Sequence, residues 1–192
     1  METKAPNPTS IATKWALFYV LVSIVITYAF QFLNIDQNSA AKYIGYIPFI
    51  AFCVLAQKEY KDQLGGFITF GQAFNPGFRY SLFGGLLLAI FIYVYLGILS
   101  PEVLTKAMEQ QQAVMAEKGM SQDQIDKGIE MGSKYGAIFG AIATAISTLV
   151  FGCIVALIGA AILKKEPTLR DIEERNAAAG TKAGDDYVDP AV

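Results

Sequence analysis

Four long apolar segments constrain the fold of this chain more than any other feature. They lie at about residues 15–33, 40–56, 81–99 and 136–163. A helix rises about 1.5 Å per residue, so roughly 20 apolar residues are needed to cross about 30 Å of hydrocarbon. The segments therefore predict an all-α integral membrane protein with four transmembrane helices.

Three of the segments need comment on their length. The second reaches spanning length only if it includes Lys42, whose side chain can extend to the membrane surface, and Pro48 near its centre predicts a kink. The fourth would be about 42 Å long as a helix, so it must tilt or extend beyond the bilayer. The first exceeds the roughly 7–15 apolar residues of a signal peptide, and we expect it to be retained.

Composition excludes several classes of protein and site. Only 17% of the 192 residues are charged and 54% are hydrophobic, and the net charge of −2 leaves no basic excess for binding nucleic acid. There is no histidine, which excludes His-based metal sites, general bases and pH switches. Cys53 and Cys153 lie far apart in apolar runs and are typical of small buried hydrophobic residues. We expect no cofactor and no metal.

The distribution of Lys and Arg predicts the orientation. With four spans, ten of them fall on the side that carries both tails and the loop 57–80, and five fall on the other side. Because Lys and Arg near span ends favour the cytoplasm, both termini are expected there. The domain 14–165 is then flanked by a cytoplasmic tail at 1–13 and a second, partly disordered one at 166–192.

A helical hairpin outside the cytoplasm is predicted at residues 100–134. Ser100 before Pro101 is a strong helix start, and Ser121 with Gln124 forms the pattern of a capping box. The hairpin is either a solvated cap whose apolar faces pack on each other or a docking surface for another protein. Methionines, which suit adaptable interfaces, favour the second interpretation. They are Met108, Met115, Met120 and Met131.

Phenylalanines recur every three or four residues in the loop 57–80. They are Phe67, Phe70, Phe74 and Phe78. This spacing predicts a short helix lying in the membrane interface with its aromatic side towards the lipid. Alternatively, the rings pack against the ends of the spans.

A stripe of small residues is the most specific pattern in the spans. It comprises Gly132, Gly136, Gly140, Thr144, Thr148 and Gly152 in the fourth span, continued by Ala156 and Ala160, and Gly77, Ser81 and Gly85 leading into the third. Small residues every fourth position allow helices to approach closely, and Thr144 and Thr148 could add interhelical hydrogen bonds. The face packs the third span against the fourth, or it binds a second copy or another membrane subunit.

The spans offer little catalytic chemistry. No Asp, Glu, Lys or Arg lies within the first, third or fourth run, and no P-loop, GxGxxG or HExxH pattern occurs. We therefore expect no enzyme, no catalytic residue and no cofactor-binding residue. The favoured hypothesis is a non-enzymatic subunit or scaffold; the alternative is a small transporter or channel for an uncharged or zwitterionic solute, based on Gln31, Tyr93 and Tyr95.

Three segments carry a resemblance to a known family. They are Phe67-Ile-Thr-Phe-Gly-Gln-Ala-Phe74, Met120-Ser-Gln-Asp-Gln-Ile125 and Lys164-Lys165-Glu166-Pro167. The chain from about Ser10 to Pro167 resembles a bacterial family of small four-span membrane proteins classified as a domain of unknown function. The resemblance implies four helices and an inner-membrane location, and it supplies no activity.

Overall fold

The computed structural model describes residues 6–33, 35 and 40–178, and this part of the chain is helical. Its α-helices are α1 (Pro8–Phe32), α2 (Tyr46–Gln63), α3 (Phe70–Val94), α4 (Pro101–Glu117), α5 (Gln122–Leu163) and α6 (Leu169–Ala178). A 3-10 helix (Ala40–Gly45) leads into α2, and a π-helical turn (Tyr95–Leu99) follows α3. The prediction of an all-α fold is confirmed. The second tail, expected to be partly disordered, contains the helix α6 up to Ala178, and residues 1–5 and 179–192 lie outside the described residues.

Two of the predicted helix starts are found, one with a different role for its first residue. At the start of α5, the Ser121 N–H donates to Gln124 Oε1 at 3.1 Å, as the capping-box pattern predicts. The helix α4 begins at Pro101, but the Ser100 side chain does not cap it. The Ser100 hydroxyl instead accepts a hydrogen bond from Gln31 Nε2 in α1.

The helices α1, α2, α3 and α5 form a bundle in which α2 packs against the other three. The helices α1 and α3 run in the same direction, since Thr9 contacts Arg79 near their starts and Tyr28 contacts Tyr95 near their ends. The helices α2 and α5 run the opposite way. One end of the bundle therefore gathers the start of α1, the end of α2, the start of α3 and the end of α5. We call it the basic end, because it carries Lys14, Lys58, Lys61, Arg79, Lys164 and Lys165.

Three helical segments are long and apolar enough to cross a membrane: Pro8–Phe32, Phe70–Leu99 and Gln122–Leu163. The helix α2 is not one of them, because its apolar part is short and its last third includes Lys58, Glu59 and Lys61. Pro48 lies in the first turn of α2, where backbone N–H groups lack partners within the helix, so this proline removes no hydrogen bond from α2.

The segment predicted as the loop 57–80 is mostly helical. The helix α2 continues to Gln63 and α3 begins at Phe70, so the interfacial helix expected there is not a separate element. The helix α3 continues through Pro76, which is buried inside the helix. A proline is tolerated within a membrane helix when neighbouring groups compensate for the hydrogen bond it removes.

The helix α4 packs antiparallel to the first part of α5. The Leu104 side chain lies over Gly136, and the Met115 side chain lies over Gly128. We call α4 together with residues 122–136 the arm. It corresponds to the segment predicted as a hairpin, and α5 continues from it into the bundle without a break.

Candidate functional site

The small-residue stripe is covered by the chain itself. In the bundle, Gly77 lies against Ala156, Ser81 against Gly152, and Gly85 against Ala145 and Thr148; further along α5, Gly140 lies against Leu96, Gly136 against Leu104 and Gly132 against Met108. A Cβ at Gly77 would lie 2.8 Å from the Ala156 Cβ, so glycine is what lets α3 approach α5 this closely. The stripe therefore holds α3 and α4 against α5.

Two of the hydroxyl groups along the stripe, those of Ser81 and Thr144, bond within their own helices. Ser81 Oγ donates to the Gly77 carbonyl at 2.9 Å, and Thr144 Oγ1 donates to the Gly140 carbonyl at 2.7 Å. The interhelical hydrogen bond predicted for Thr144 is therefore replaced by one to the preceding turn. Close packing, rather than hydrogen bonding between side chains, joins α3 to α5 here.

Gln57 is a buried polar residue that the sequence analysis did not single out. Its side chain is 0% exposed, and Nε2 donates to the Ala73 carbonyl of α3 at 3.0 Å and to the Ala156 carbonyl of α5 at 2.7 Å. Its Oε1 points towards Gly159 and has no hydrogen-bond partner among the described residues. One amide thus links three helices. The sequence signal was weak, because Gln57 directly follows an apolar run and precedes a charged segment.

A second polar group joins α1 to α2 at the basic end. Glu59 accepts hydrogen bonds from Lys14 Nζ at 2.5 Å and from the Trp15 indole at 2.7 Å. Burial raises the pKa of Glu59, but the hydrogen bonds from Lys14 and Trp15 outweigh it and hold the pKa below its ordinary value. Lys61 Nζ donates to the Leu163 carbonyl at 2.9 Å and so ties α2 to the end of α5.

The residues suggested for transport are not gathered in one site. Gln31 Nε2 donates to Ser100 Oγ at 3.1 Å and to Glu102 at 3.2 Å, and Tyr95 donates to Gln31 Oε1 at 3.2 Å. This cluster ties the end of α1 to the start of α4. Tyr93 is exposed on the surface of α3.

The four predicted interfacial phenylalanines lie in different surroundings. Lys165 Nζ lies 4.9 Å from the Phe67 ring centroid, and Phe70 is exposed at the first position of α3. Phe74 packs against a small buried cluster at the basic end, and its ring centroid lies 5.8 Å from that of Phe78 in a tilted arrangement. In the described ranges, no three His, Cys, Asp or Glu residues lie together as metal ligands.

A cavity of about 930 Å³ lies between α1, α3, α5 and the beginning of α2. Its lining residues are Tyr19, Ser23 and Thr27 of α1; Tyr43, Gly45, Tyr46 and Phe49 around the start of α2; Leu88 and Ile92 of α3; and Ser147, Thr148 and Phe151 of α5. Gln31 is not among them. Tyr43, Tyr46 and Ser147 are exposed, so the cavity opens on the surface of the bundle.

Comparison with known proteins identifies one family. The sequence model of the family described as "Protein of unknown function (DUF4199)" matches residues 14–165, which is the segment from the end of the first tail to Lys165. No curated protein and no solved structure matches the chain.

Proposed function

The chain belongs to the DUF4199 family, and from this premise and its structure we propose that it is a bacterial inner-membrane protein whose α1, α2, α3 and α5 lie in the bilayer. The exposed surface of α5 supports a lipid environment. It carries a column of large aliphatic side chains, namely Ile138, Ile142, Ile146, Val150 and Ile154. Such a column would be a costly surface in water and is an ordinary one in hydrocarbon.

The direction of the helices supports a fourth crossing by α2. Because α1 and α3 run in the same direction, the chain must return from the end of α1 to the start of α3, and α2 makes this return inside the bundle. The 3-10 helix contributes about 12 Å and the apolar part of α2 about 17 Å, which together approach the hydrocarbon thickness of about 30 Å.

The charges of the basic end support a cytoplasmic location for both termini. Single cysteines at Gln111 in the arm and at Glu173 in α6, in a background lacking Cys53 and Cys153, test this orientation. Both positions are exposed. A reagent that cannot cross the membrane should label Gln111→Cys in intact cells and label Glu173→Cys only after the cells are broken. The reverse pattern would contradict the orientation.

Within this topology, we propose that the protein is a non-enzymatic subunit or scaffold that binds its partners through the arm. The observation that carries the proposal is the length of α5. Its 42 residues extend for about 63 Å, roughly twice the hydrocarbon thickness, so α5 carries the arm out of the bilayer. The helix α4 contains no buried residue, whereas the stripe is already covered within the chain.

Site-specific crosslinking in native membranes tests the scaffold role. A photoreactive residue replaces Gln111 on the exposed surface of α4, and a matched one replaces Ile146 on the lipid-facing surface of α5. We expect a discrete protein adduct from position 111 and none from position 146. If neither position gives a protein adduct, and the chain migrates in native gels as a single 20.9 kDa protein, the role as a subunit is contradicted.

The cavity supports a second candidate, a small transporter or channel for an uncharged or zwitterionic solute. Its hydroxyl-lined wall lies among the helices proposed to be in the membrane. Reconstituted vesicles that take up such a solute only when they contain the protein would favour this candidate over the scaffold.

A further inference from the structure

The cavity exists because α2 is shorter than the helices on which it packs. Near the basic end, α2 lies between α1 and α5 and also packs against α3. The helix begins only at Tyr46, and beyond this point the walls formed by α1 and α5 enclose an open volume with Leu88 and Ile92 at its base. The hydropathy of the separate segments does not predict this cavity.

The polar residues of the apolar spans converge on this cavity. The spans contain seven Ser, Thr and Gln side chains, and four of them line it: Ser23, Thr27, Ser147 and Thr148. Tyr19, Ser23 and Thr27 follow one another at four-residue intervals on one face of α1. Two further tyrosines, Tyr43 and Tyr46, line the cavity beside the start of α2.

The cavity is lined by uncharged polar and apolar side chains. Its described residues carry hydroxyl groups, which both donate and accept hydrogen bonds, beside aliphatic and aromatic side chains, and none of them carries a charge. A charged ligand at this depth would lose its hydration without gaining a counter-charge from the lining. The lining therefore favours an uncharged molecule with an apolar body and a few hydrogen-bonding groups.

The size of the cavity distinguishes a small ligand from a partner helix. A volume of 930 Å³ lies within the range of about 300–1,000 Å³ that is typical of small-molecule sites. A helix with a diameter of about 10 Å would fill the same volume with only about 12 Å of its length. A crossing helix of a partner protein is thus too large.

We propose that this cavity binds an uncharged amphiphile that enters from the bilayer, with its hydrocarbon chain along Leu88, Ile92 and Phe151. The hydroxyl groups of its head donate to Ser23 and Thr27 on one wall and to Ser147 and Thr148 on the other. The head donates because the Thr27 and Ser147 hydroxyls already donate to the Ser23 and Thr144 carbonyls. This site is separate from the arm, so its test is independent of the proposed scaffold function.

Photolabelling of the purified full-length protein tests the proposal. The probe is a monoacylglycerol that carries a diazirine in its acyl chain and a terminal alkyne; the comparison probe is lysophosphatidylglycerol with the same chain, which is anionic. We expect saturable labelling by the uncharged probe, mapped to peptides containing residues 88–92 and 147–151, because the diazirine lies in the chain placed along Leu88, Ile92 and Phe151. Excess unlabelled monoacylglycerol should abolish this labelling.

Two neighbouring positions on α5 provide a matched pair of variants. Ser147→Phe places a ring inside the cavity, whereas Ile146→Phe adds similar bulk on the lipid-facing surface. We expect Ser147→Phe to raise the half-saturating probe concentration by about tenfold or more and Ile146→Phe to leave it unchanged. Thr27→Val, which removes one hydroxyl and keeps the shape of the side chain, should give a smaller increase.

Three results would overturn the proposal. Labelling that is not saturable and is spread over the exposed faces of α1 and α5 would indicate ordinary surrounding lipid. Equal labelling of the same peptides by the anionic probe would contradict the uncharged class of ligand. Equal behaviour of Ser147→Phe and Ile146→Phe, with both proteins folded, would show that the cavity is not the site.

Discussion

The stripe of small residues has one spacing but two differently covered halves. In the half near the basic end, which we call the covered half, α2 packs over the stripe, and the neighbours of the small residues are Gln57, Ser81 and Phe49. In the other half α2 is absent. The stripe there adjoins the cavity, and further along α5 the ends of the Leu96, Leu104 and Met108 side chains cover its glycines.

The difference shows that small residues at the same spacing can differ in how well they tolerate a larger side chain. A glycine beside a buried, fully packed side chain cannot be enlarged unless that side chain moves, and a dense core resists such movement. A glycine beneath the end of a methionine can be enlarged at low cost, because the flexible thioether can adopt another rotamer. The same four-residue spacing therefore predicts where helices meet, and the neighbours decide how much each position contributes to stability.

A carboxylate at position 57 should have the largest effect on stability, because it places a charge among the buried contacts of the covered half. In Gln57→Glu the two N–H groups that bond to Ala73 and Ala156 are replaced by an oxygen that faces two carbonyl oxygens. We expect a loss of about 3 kcal/mol or more in the free energy of unfolding, measured by denaturant titration in detergent.

Gln57→Leu is the control for this substitution, because it removes the same hydrogen bonds without adding a charge. It should be folded and clearly more stable than Gln57→Glu at neutral pH. Equal stability of the two variants would indicate that water reaches position 57 and that the covered half is not dry.

Alanine substitutions compare the two halves directly. In Gly152→Ala the new Cβ meets the buried Ser81 side chain and lies 3.0 Å from Phe49 Cζ, so we expect a loss of about 1–3 kcal/mol. In Gly132→Ala the nearest atoms belong to the end of the Met108 side chain, and the expected loss is below about 0.5 kcal/mol. Thermal unfolding of both variants in one detergent measures the difference, and similar losses would refute the distinction between the halves.

A modest effect on stability is expected at the surface of the half near the basic end, where Glu59 of α2 bonds to Lys14 of α1. Glu59→Gln should cost about 1 kcal/mol or less at neutral pH, because the Lys14–Glu59 pair is partly exposed. Since the pKa of Glu59 is lowered on folding, its contribution is present above the ordinary value of 4.5 and is lost as the pH falls through the folded-state pKa.

The pH dependence separates this charge effect from a loss of packing. The difference in apparent Tm between the unmodified protein and Glu59→Gln should shrink as the pH is lowered from about 7 to about 4. A difference that stays constant over this range would show that the carboxylate charge contributes nothing.

The sequence predicted the helices better than it predicted their surroundings. Three of the four apolar runs predicted helices approximately, because each run lies almost entirely within a single long helix. The second was predicted less well, since its apolar run joins a 3-10 helix to part of α2, and the charged residues of α2 after Ala56 suggested a loop. Hydropathy alone does not show that a helix continues into charged residues beyond its apolar part.

The candidate site could be predicted only in part. Spacing identified the faces of α3 and α5 that meet, because helical periodicity is a local property. The role of Gln57 and the position of the cavity depend on how three or four helices are placed together. Ser23, Thr27, Ser147 and Thr148 were each visible as polar residues in apolar runs, but nothing in their spacing brings α1 and α5 to the same volume.

The link made by Gln57 also has a consequence for the order of biosynthesis. Its two acceptors lie 16 and 99 residues further along the chain, so the amide can bond to α3 soon after α3 is made but must wait for nearly all of α5. The backbone pairing of Ile68 with Lys165 has the same dependence on the last part of the domain. The basic end is thus closed by the last part of the domain to leave the ribosome, and a chain truncated before Ala156 lacks this junction.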